Sequence, residues 1–344
     1  METILFLTHA EADGGLSKSG LEALGAAAEL AKNVGGELVA GLYGAQIQPA
    51  ADSIATCGAR RFLAVAAEDF AAARYATDAA ACEALIRGSA ASLVVAAAGS
   101  RNARVIAGVA HRLGGCVDTH VTSIDAASGG PAISRWFYRQ RIEGSLTRTQ
   151  RPWFLLLDPG AHAPWTGEAA SITPEVLAVP VPDTCRRTIV QGFITPPADQ
   201  QTIRPEAELL FVAGAGWTKK QKDGQPHVAE AEALIVDFLQ KSRASLGSSK
   251  SLVDLTGENQ AALRFMSHLN QVGQTGASPR HPKGLSTCCH GEEPHTVGWR
   301  FIAERRAINL DPNCGWARGK ADVLYVADAF EVMARVNQLL GMKQ

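Results

Sequence analysis

The sequence predicts an α/β protein of two doubly wound parallel-sheet domains, and three observations carry that prediction. Short apolar runs alternate with stretches of helical periodicity, the pattern of parallel strands covered on both faces. The alternation starts twice, once at the N-terminus and again at Glu208. The chain of 344 residues, 46% hydrophobic, is long enough for two cores.

Taken in order, ETILFLTH is a buried first strand followed by a Gly-rich turn. GLEALGAAAELAKNVGG carries apolar positions at helical spacing and stops at Gly35–Gly36. ELVAGLYG and ARRFLAVAA read as the second and third strands. ATDAAACEALIRGSA is a helix, SLVVAAAGS a buried strand ending in small residues, and RNARVIAGVAHRLGG the next helix. After Val121 the pattern changes. AISRWFYRQ, RIEGSLTRTQ and RPWFLLLDPGAH read as a β-ribbon and a closing strand. Pro and Gln then mark a boundary near residues 193–206. The domains are accordingly expected at residues 1–195 and 207–344, joined by a linker at 196–206.

The second unit opens with ELLFVAGAGW, a buried strand and a small-residue turn. VAEAEALIVDFLQKSRASLG is a helix with Ala231, Leu234, Ile235, Phe238 and Leu239 on one stripe. The stretch NQVGQTGASPRHPKGLSTCCHG, residues 270–291, is dense in Gly, Gln, Thr, Ser and Pro and reads as a loop around a ligand. RRAINLD and ADVLYVAD are two more strands, and AFEVMARVNQLLGM is the closing helix.

A net charge of -1 and a pI of about 6.8 create no global field for nucleic acid or an anionic membrane. The apolar run Ile4–Leu7 is too short for a signal-peptide core, and no window approaches the roughly 20 apolar residues of a membrane span. The expectation is a cytoplasmic protein without a transmembrane segment. Seven cysteines, scattered and odd in number, imply reduced thiols. Cys288, Cys289 and His290, with His281 and His295 nearby, could be read as a metal cluster. Adjacent cysteines chelate one tetrahedral ion poorly and no C-x-x-C occurs, so no metal site is expected. No Ser/His/Asp constellation is placed, and no catalytic residue is assigned.

A parallel sheet holds its ligand beyond the carboxyl ends of its strands. In the second unit those positions are Ala213–Trp217, Ser248–Asp254, Gln271–Gly276, Cys288–His295 and Asn309–Asp311, each rich in small or hydrogen-bonding residues. LGSSKSLVD, QVGQTG, HTVGW, AINLDP and ADVLYVADAFEVM, in that order and spacing, resemble the electron transfer flavoprotein α-subunit. SLVVAAAGSRNARVIAGVAHRLGGCVDTHVTSID and RPWFLLLDPGAH resemble that family's first domain more weakly.

The resemblance implies a Rossmann-like C-terminal domain holding one FAD, in an electron carrier rather than an enzyme. It places Gln274 and Thr275 beside the isoalloxazine, with the Thr275 hydroxyl at the flavin N5. Gln271, Val272, Gly273 and Gly276 complete that loop, and His295 lies near the pyrimidine carbonyl. Ser249 and Gly291 match pyrophosphate-loop positions, Asn309 and Asp322 match positions near the adenosine end, and Gly214, Lys250, Cys289 and His290 are further expected cofactor-binding residues. Three positions depart from the family pattern. Ala215 and Lys250 stand where it has arginines, and CCHGEE replaces a glycine–isoleucine–serine–glycine–alanine loop. Lysine keeps the charge at Lys250 but loses the planar, stacking fork. The implied partners are a homologous β-subunit forming a heterodimer, a flavin-dependent dehydrogenase as electron donor and a quinone oxidoreductase as acceptor. The departures motivate a rival reading, a structural or regulatory subunit without a redox-active flavin.

Overall fold

In a computed structural model, the residues described are 2–127, 130–138, 142–192, 203–254, 263–273, 278–287, 301–312 and 321–342. The chain divides into two compact units, Met1–Phe193 and Ile194–Gln344. Most of the expected linker, residues 196–202, lies outside the described residues.

Unit 1 is a nine-stranded mixed sheet. Its strands are β1 (Thr3–His9), β2 (Glu37–Gly44), β3 (Arg61–Ala66), β4 (Leu93–Ala97), β5 (Cys116–Ala127), β6 (Gly130–Phe137), β7 (Ile142–Leu146), β8 (Trp153–Leu157) and β9 (Glu175–Val176). They run in the order β7-β6-β5-β8-β4-β1-β2-β3-β9. All neighbours are parallel except the β5–β6 and β6–β7 pairs of the ribbon. The helices are α1 (Lys18–Val34), α2 (Gln48–Ser53), α3 (Tyr75–Ser89) and α4 (Ser100–Arg112). Ile4 and Phe6 of β1 pack with α1 in one core, and Leu5 and Leu7 pack with α3 and α4 in another. Side chains alternate across a strand, so one strand feeds both cores. Such a strand must be apolar throughout, as ILFL is. Ser17 caps α1 by accepting from the Gly20 N–H, and Gly35, at φ +62°, ends it.

Three strand or helix elements of unit 1 were not expected. Cys116–Ala127 is one long strand where the sequence pattern only loses its regularity, because a bulge between Val121 and Ser123 breaks the alternation. The short α2 and the two-residue β9 were also unread. After β8, residues 158–186 lie across unit 1 as a strap. Its backbone bonds include Trp165 N–H to Leu21 O and Leu177 N–H to Ala64 O. Arg186 ends it with two bonds to Asp69, at 2.7 and 2.8 Å.

Two carboxylates are fully buried in unit 1. Asp118 accepts from Arg135 Nη1 at 2.7 Å, Arg148 Nη2 at 2.9 Å and the Trp153 indole N–H at 2.8 Å. Burial pushes its carboxyl up, but the bonds from Arg148, Arg135 and Trp153 hold it below its ordinary value. Asp78 pairs with Arg101 at 2.7 Å, and here burial prevails, so its carboxyl is raised.

Unit 2 is a parallel sheet of β10 (Leu209–Ala213), β11 (Ser245–Ser248), β12 (His281–Thr287), β13 (Ile302–Asn309) and β14 (Val323–Val326), ordered β11-β10-β12-β13-β14. Its helices are α5 (Val228–Ser242), α6 (Lys250–Asp254) and α7 (Ala329–Gly341). With β10 counted as the first strand, the described order is 2-1-3-4-5, a doubly wound order whose switch point lies between β10 and β12.

The structure corrects two readings here. The last residues of the expected helix, SLG of QKSRASLG, open strand β11, because Arg243 adopts a left-handed φ of +55° and ends α5. The expected ligand loop at 270–291 contains the central strand β12. Its pattern is hidden by Pro282 and Gly284. Gly284 lies under Ile302, where a Cβ would come within 2.5 Å of Cδ1, so only glycine fits.

Candidate functional site

The candidate site is the carboxyl edge of the unit 2 sheet. β10 is followed by Gly214, whose N–H donates to Thr287 O at 2.9 Å across the switch point. A single 3-10 turn, Ala215–Thr218, follows. Ala215 and Trp217 in this turn belong to the core. The Trp217 indole lies 4.6 Å from the Phe330 ring and donates to Thr287 Oγ1 at 2.8 Å. Position 215 is therefore buried among apolar groups, and a small side chain is what that packing accepts.

β11 ends at Ser248, and Ser249 follows it. The Ser249 N–H donates to Ala213 O at 2.9 Å, and its hydroxyl accepts from the Leu252 N–H, which starts α6. Lys250 is 51% exposed and stands 3.8 Å from Asp254 one turn on. Ser248 Oγ is buried with no hydrogen-bond partner. An orphaned hydroxyl at a ligand edge is an unmet bonding capacity, and a buried one is costly unless something fills it.

The QVG segment is delivered beside Ser248. Ser267 and Asn270 cap each other in a short turn, and Val272 N–H donates to Ser248 O at 3.1 Å. Val272 then fills the space above Gly247, where a Cβ would lie 2.6 Å from its Cγ2. Gly273 turns the chain at φ +82°, and its N–H donates to Ser278 Oγ at 2.7 Å. Only glycine takes that φ without strain. Asn309 ends β13, buried, with its Oδ1 accepting from the Asp311 N–H at 3.2 Å.

Gly214, Ser249, Lys250, Gln271, Val272, Gly273 and Asn309 thus all stand at one edge. Asp322 does not. It precedes β14 at the amino end and pairs with Arg305 at 2.8 Å. Because Asn309 pairs with Val326, Asp322 is four residues back along its strand, about 13 Å from that edge. Gln274, Thr275, Gly276, Cys289, His290, Gly291 and His295 lie outside the described residues.

Ser248 and the Trp217–Thr287 pair were not singled out from sequence. Ser248 sits inside the serine pair that flags the loop, but nothing in sequence says which serine is left unpartnered. Of the residues described, no group of three His, Cys, Asp or Glu could hold a metal ion. His281 is buried at the amino end of β12, bonded to Arg204 O and Pro279 O, and burial pushes its pKa down. No helix among the described residues is long and apolar enough to cross a membrane.

Compared with known families, residues 4–184 match the electron transfer flavoprotein domain. No curated protein matches the chain. The match covers unit 1 as far as the strap and spans more than half of the 344 residues. A nine-stranded sheet with an antiparallel ribbon and a family match over that same unit lead to one conclusion: the chain belongs to the electron transfer flavoprotein family.

Proposed function

We propose that this chain is the FAD-holding α-type subunit of a heterodimeric electron carrier, working between a flavin-dependent dehydrogenase and a quinone oxidoreductase in the cytoplasm. The observation that carries the reading is the convergence of Gly214, Ser249, Lys250, Gln271–Gly273 and Asn309 at the switch-point edge. Bound FAD supplies the electron chemistry, while the protein sets its exposure and polarity. Ser249 is proposed beside the cofactor at the start of α6. Lys250 offers a mobile positive charge that favours an anionic neighbour. Gln274, Thr275 and His295 are proposed at the ring, and Cys289, His290 and Gly291 along the pyrophosphate. Asn309 is proposed near the adenosine. Asp322 is proposed as a clamp on Arg305 rather than as a cofactor contact.

A specific observation favours a second reading. Ala215 and Trp217 fill the first turn with core, so the anion-binding side chain of the family pattern has no counterpart there. A subunit of this kind could serve assembly without a flavin.

The visible absorption spectrum of the chain purified with its β-type partner, before and after dithionite, separates the two. A flavin spectrum that bleaches supports the carrier. A colourless heterodimer that stays colourless after incubation with FAD overturns it in favour of assembly.

A further inference from the structure

The net charge of the whole chain is -1, but α3 and α4 of unit 1 carry a local positive excess. With Arg74, which caps α3, they hold five arginines (74, 87, 101, 104 and 112) against two carboxylates, Asp78 and Glu83. Both carboxylates are already engaged. Asp78 is fully buried and takes two short bonds from Arg101, at 2.7 and 2.9 Å, while Arg104 reaches it only at 3.5 Å. Glu83 Oε1 accepts both bonds from Arg87, at 2.9 and 3.1 Å, while Arg112 stands 3.7 Å from Oε2. Asp69, nearby on the chain, is held by Arg186. Arg104 and Arg112 are thus the loosely held cations, and each keeps 44% of its side chain exposed.

The exposed face of α4 restricts what such a charge can meet. At the four-residue helical spacing, Ala103, Ala107 and His111 lie along one side of it, and Arg104, Gly108 and Arg112 along the other. Ala103 and Ala107 are exposed methyl groups, over which the backbone of a second helix comes close. Beside them, the Tyr75 hydroxyl lies against Gly108, where a Cβ would come within 2.0 Å of it. The Arg112 guanidinium stands 5.9 Å from the Tyr75 ring centre. Tyrosine and arginine are the residue types that most often anchor protein interfaces, and an anchor already held in place loses little freedom on binding. Arg104 and Arg112 are two turns apart, about 12 Å along the helix axis. No single small anion bridges that span, whereas carboxylates seven or eight residues apart on a helix match it.

We propose that the exposed face of α4, together with Tyr75, docks an acidic helix of a partner protein, with its carboxylates on Arg104 and Arg112 and its backbone over Ala103 and Ala107. The docking face lies in unit 1 and does not depend on the flavin reading of unit 2.

The test places a photocrosslinking residue at Ala107 of the full chain in its own cells and identifies the crosslinked peptides by mass spectrometry. Crosslinks are expected to concentrate in one helical segment with carboxylates seven or eight residues apart. Arg104→Glu combined with Arg112→Glu is expected to lower their yield at least about tenfold, since like charges then face each other. Lysines in place of those partner carboxylates should restore it. Thermal unfolding should stay near wild type, because Asp78 keeps Arg101 and Glu83 keeps Arg87. Arg104→Gln with Arg112→Gln removes the charge without adding repulsion and should give a smaller fall in the same direction. Crosslinks no more abundant than from Lys32, an exposed position on α1 across the sheet, overturn the docking face. So do crosslinks into nucleic acid, into this chain itself or into segments without carboxylates. A yield unchanged by charge reversal, or not restored by the partner lysines, overturns the arginine contacts.

Discussion

The indole N–H of Trp217 donates to the hydroxyl of Thr287 at 2.8 Å, joining the turn after β10 to the end of β12 across the switch point. Both residues are buried, and the same threonine carbonyl accepts from Gly214. The candidate edge is therefore braced from below by a polar contact inside an apolar core.

Trp217→Phe removes the donor and part of the packing against Phe330. It is expected to destabilise unit 2 by about 1–3 kcal/mol in chemical denaturation. A double-mutant cycle with Thr287→Val should show coupling between the two, because each single change breaks the same bond. Strict additivity would mean the contact contributes nothing measurable.

Asp118 offers a larger effect. Asp118→Ala leaves the Trp153 N–H and the mostly buried Arg135 without their acceptor, at an expected cost of about 3–5 kcal/mol. Arg148 is 40% exposed and can turn to water, which places the cost toward the lower end. A loss under 1 kcal/mol in urea titration would show that the cluster relaxes freely. The wild-type carboxyl is held below its ordinary value, so its stabilisation is present above the unfolded pKa. It should fade as pH falls through the lowered folded value.

His9 gives a separate pH signature. Its folded pKa is depressed from 6.5 to about 4, so the unfolded chain takes up a proton first as the solution is acidified. Stability contributed above pH 6.5 should be lost progressively toward pH 4, by up to about 3 kcal/mol. His9→Gln should flatten the stability-pH curve of unit 1 in that window. A slope identical to wild type would exclude His9 as its source.

Gly284 tests the packing of the central strand. Gly284→Ala drives a methyl into Ile302 and is expected to cost about 1–3 kcal/mol. Ile302→Val in the same chain should recover part of that loss by opening the contact. If the double variant is no more stable than Gly284→Ala alone, the strain lies elsewhere.

Much of unit 1 was legible because its strands are buried on both faces and its helices carry regular stripes. ILFL, FLAV and LVVAA could only be interior strands, and α1 announces its end with Gly35–Gly36. The readings failed where long-range packing decides local structure. The bulge in β5 and the glycine of β12 are set by how neighbouring strands pair and pack, which the local pattern of either strand does not record. At the candidate edge, small residues marked the ends of β10 and β11 in the sequence. Ala215 was not interpretable alone, since its burial against the Trp217 core exists only in the folded unit. Asp322 was read from a motif without its register, and register moves it to the far end of the strand.

β8 has a consequence for how unit 1 is made. It is the only described strand that joins β4 to β5, since β4 pairs with β1 and β8 while β5 pairs with β6 and β8. Residues 153–157 come after both, so a chain emerging from the ribosome holds two open strand edges until they appear. The sheet cannot be completed piece by piece from the N-terminus. A truncation between Leu146 and Trp153 leaves two half-sheets with no keystone, and ribosome-bound chains of that length should be protease-sensitive until β8 clears the exit tunnel.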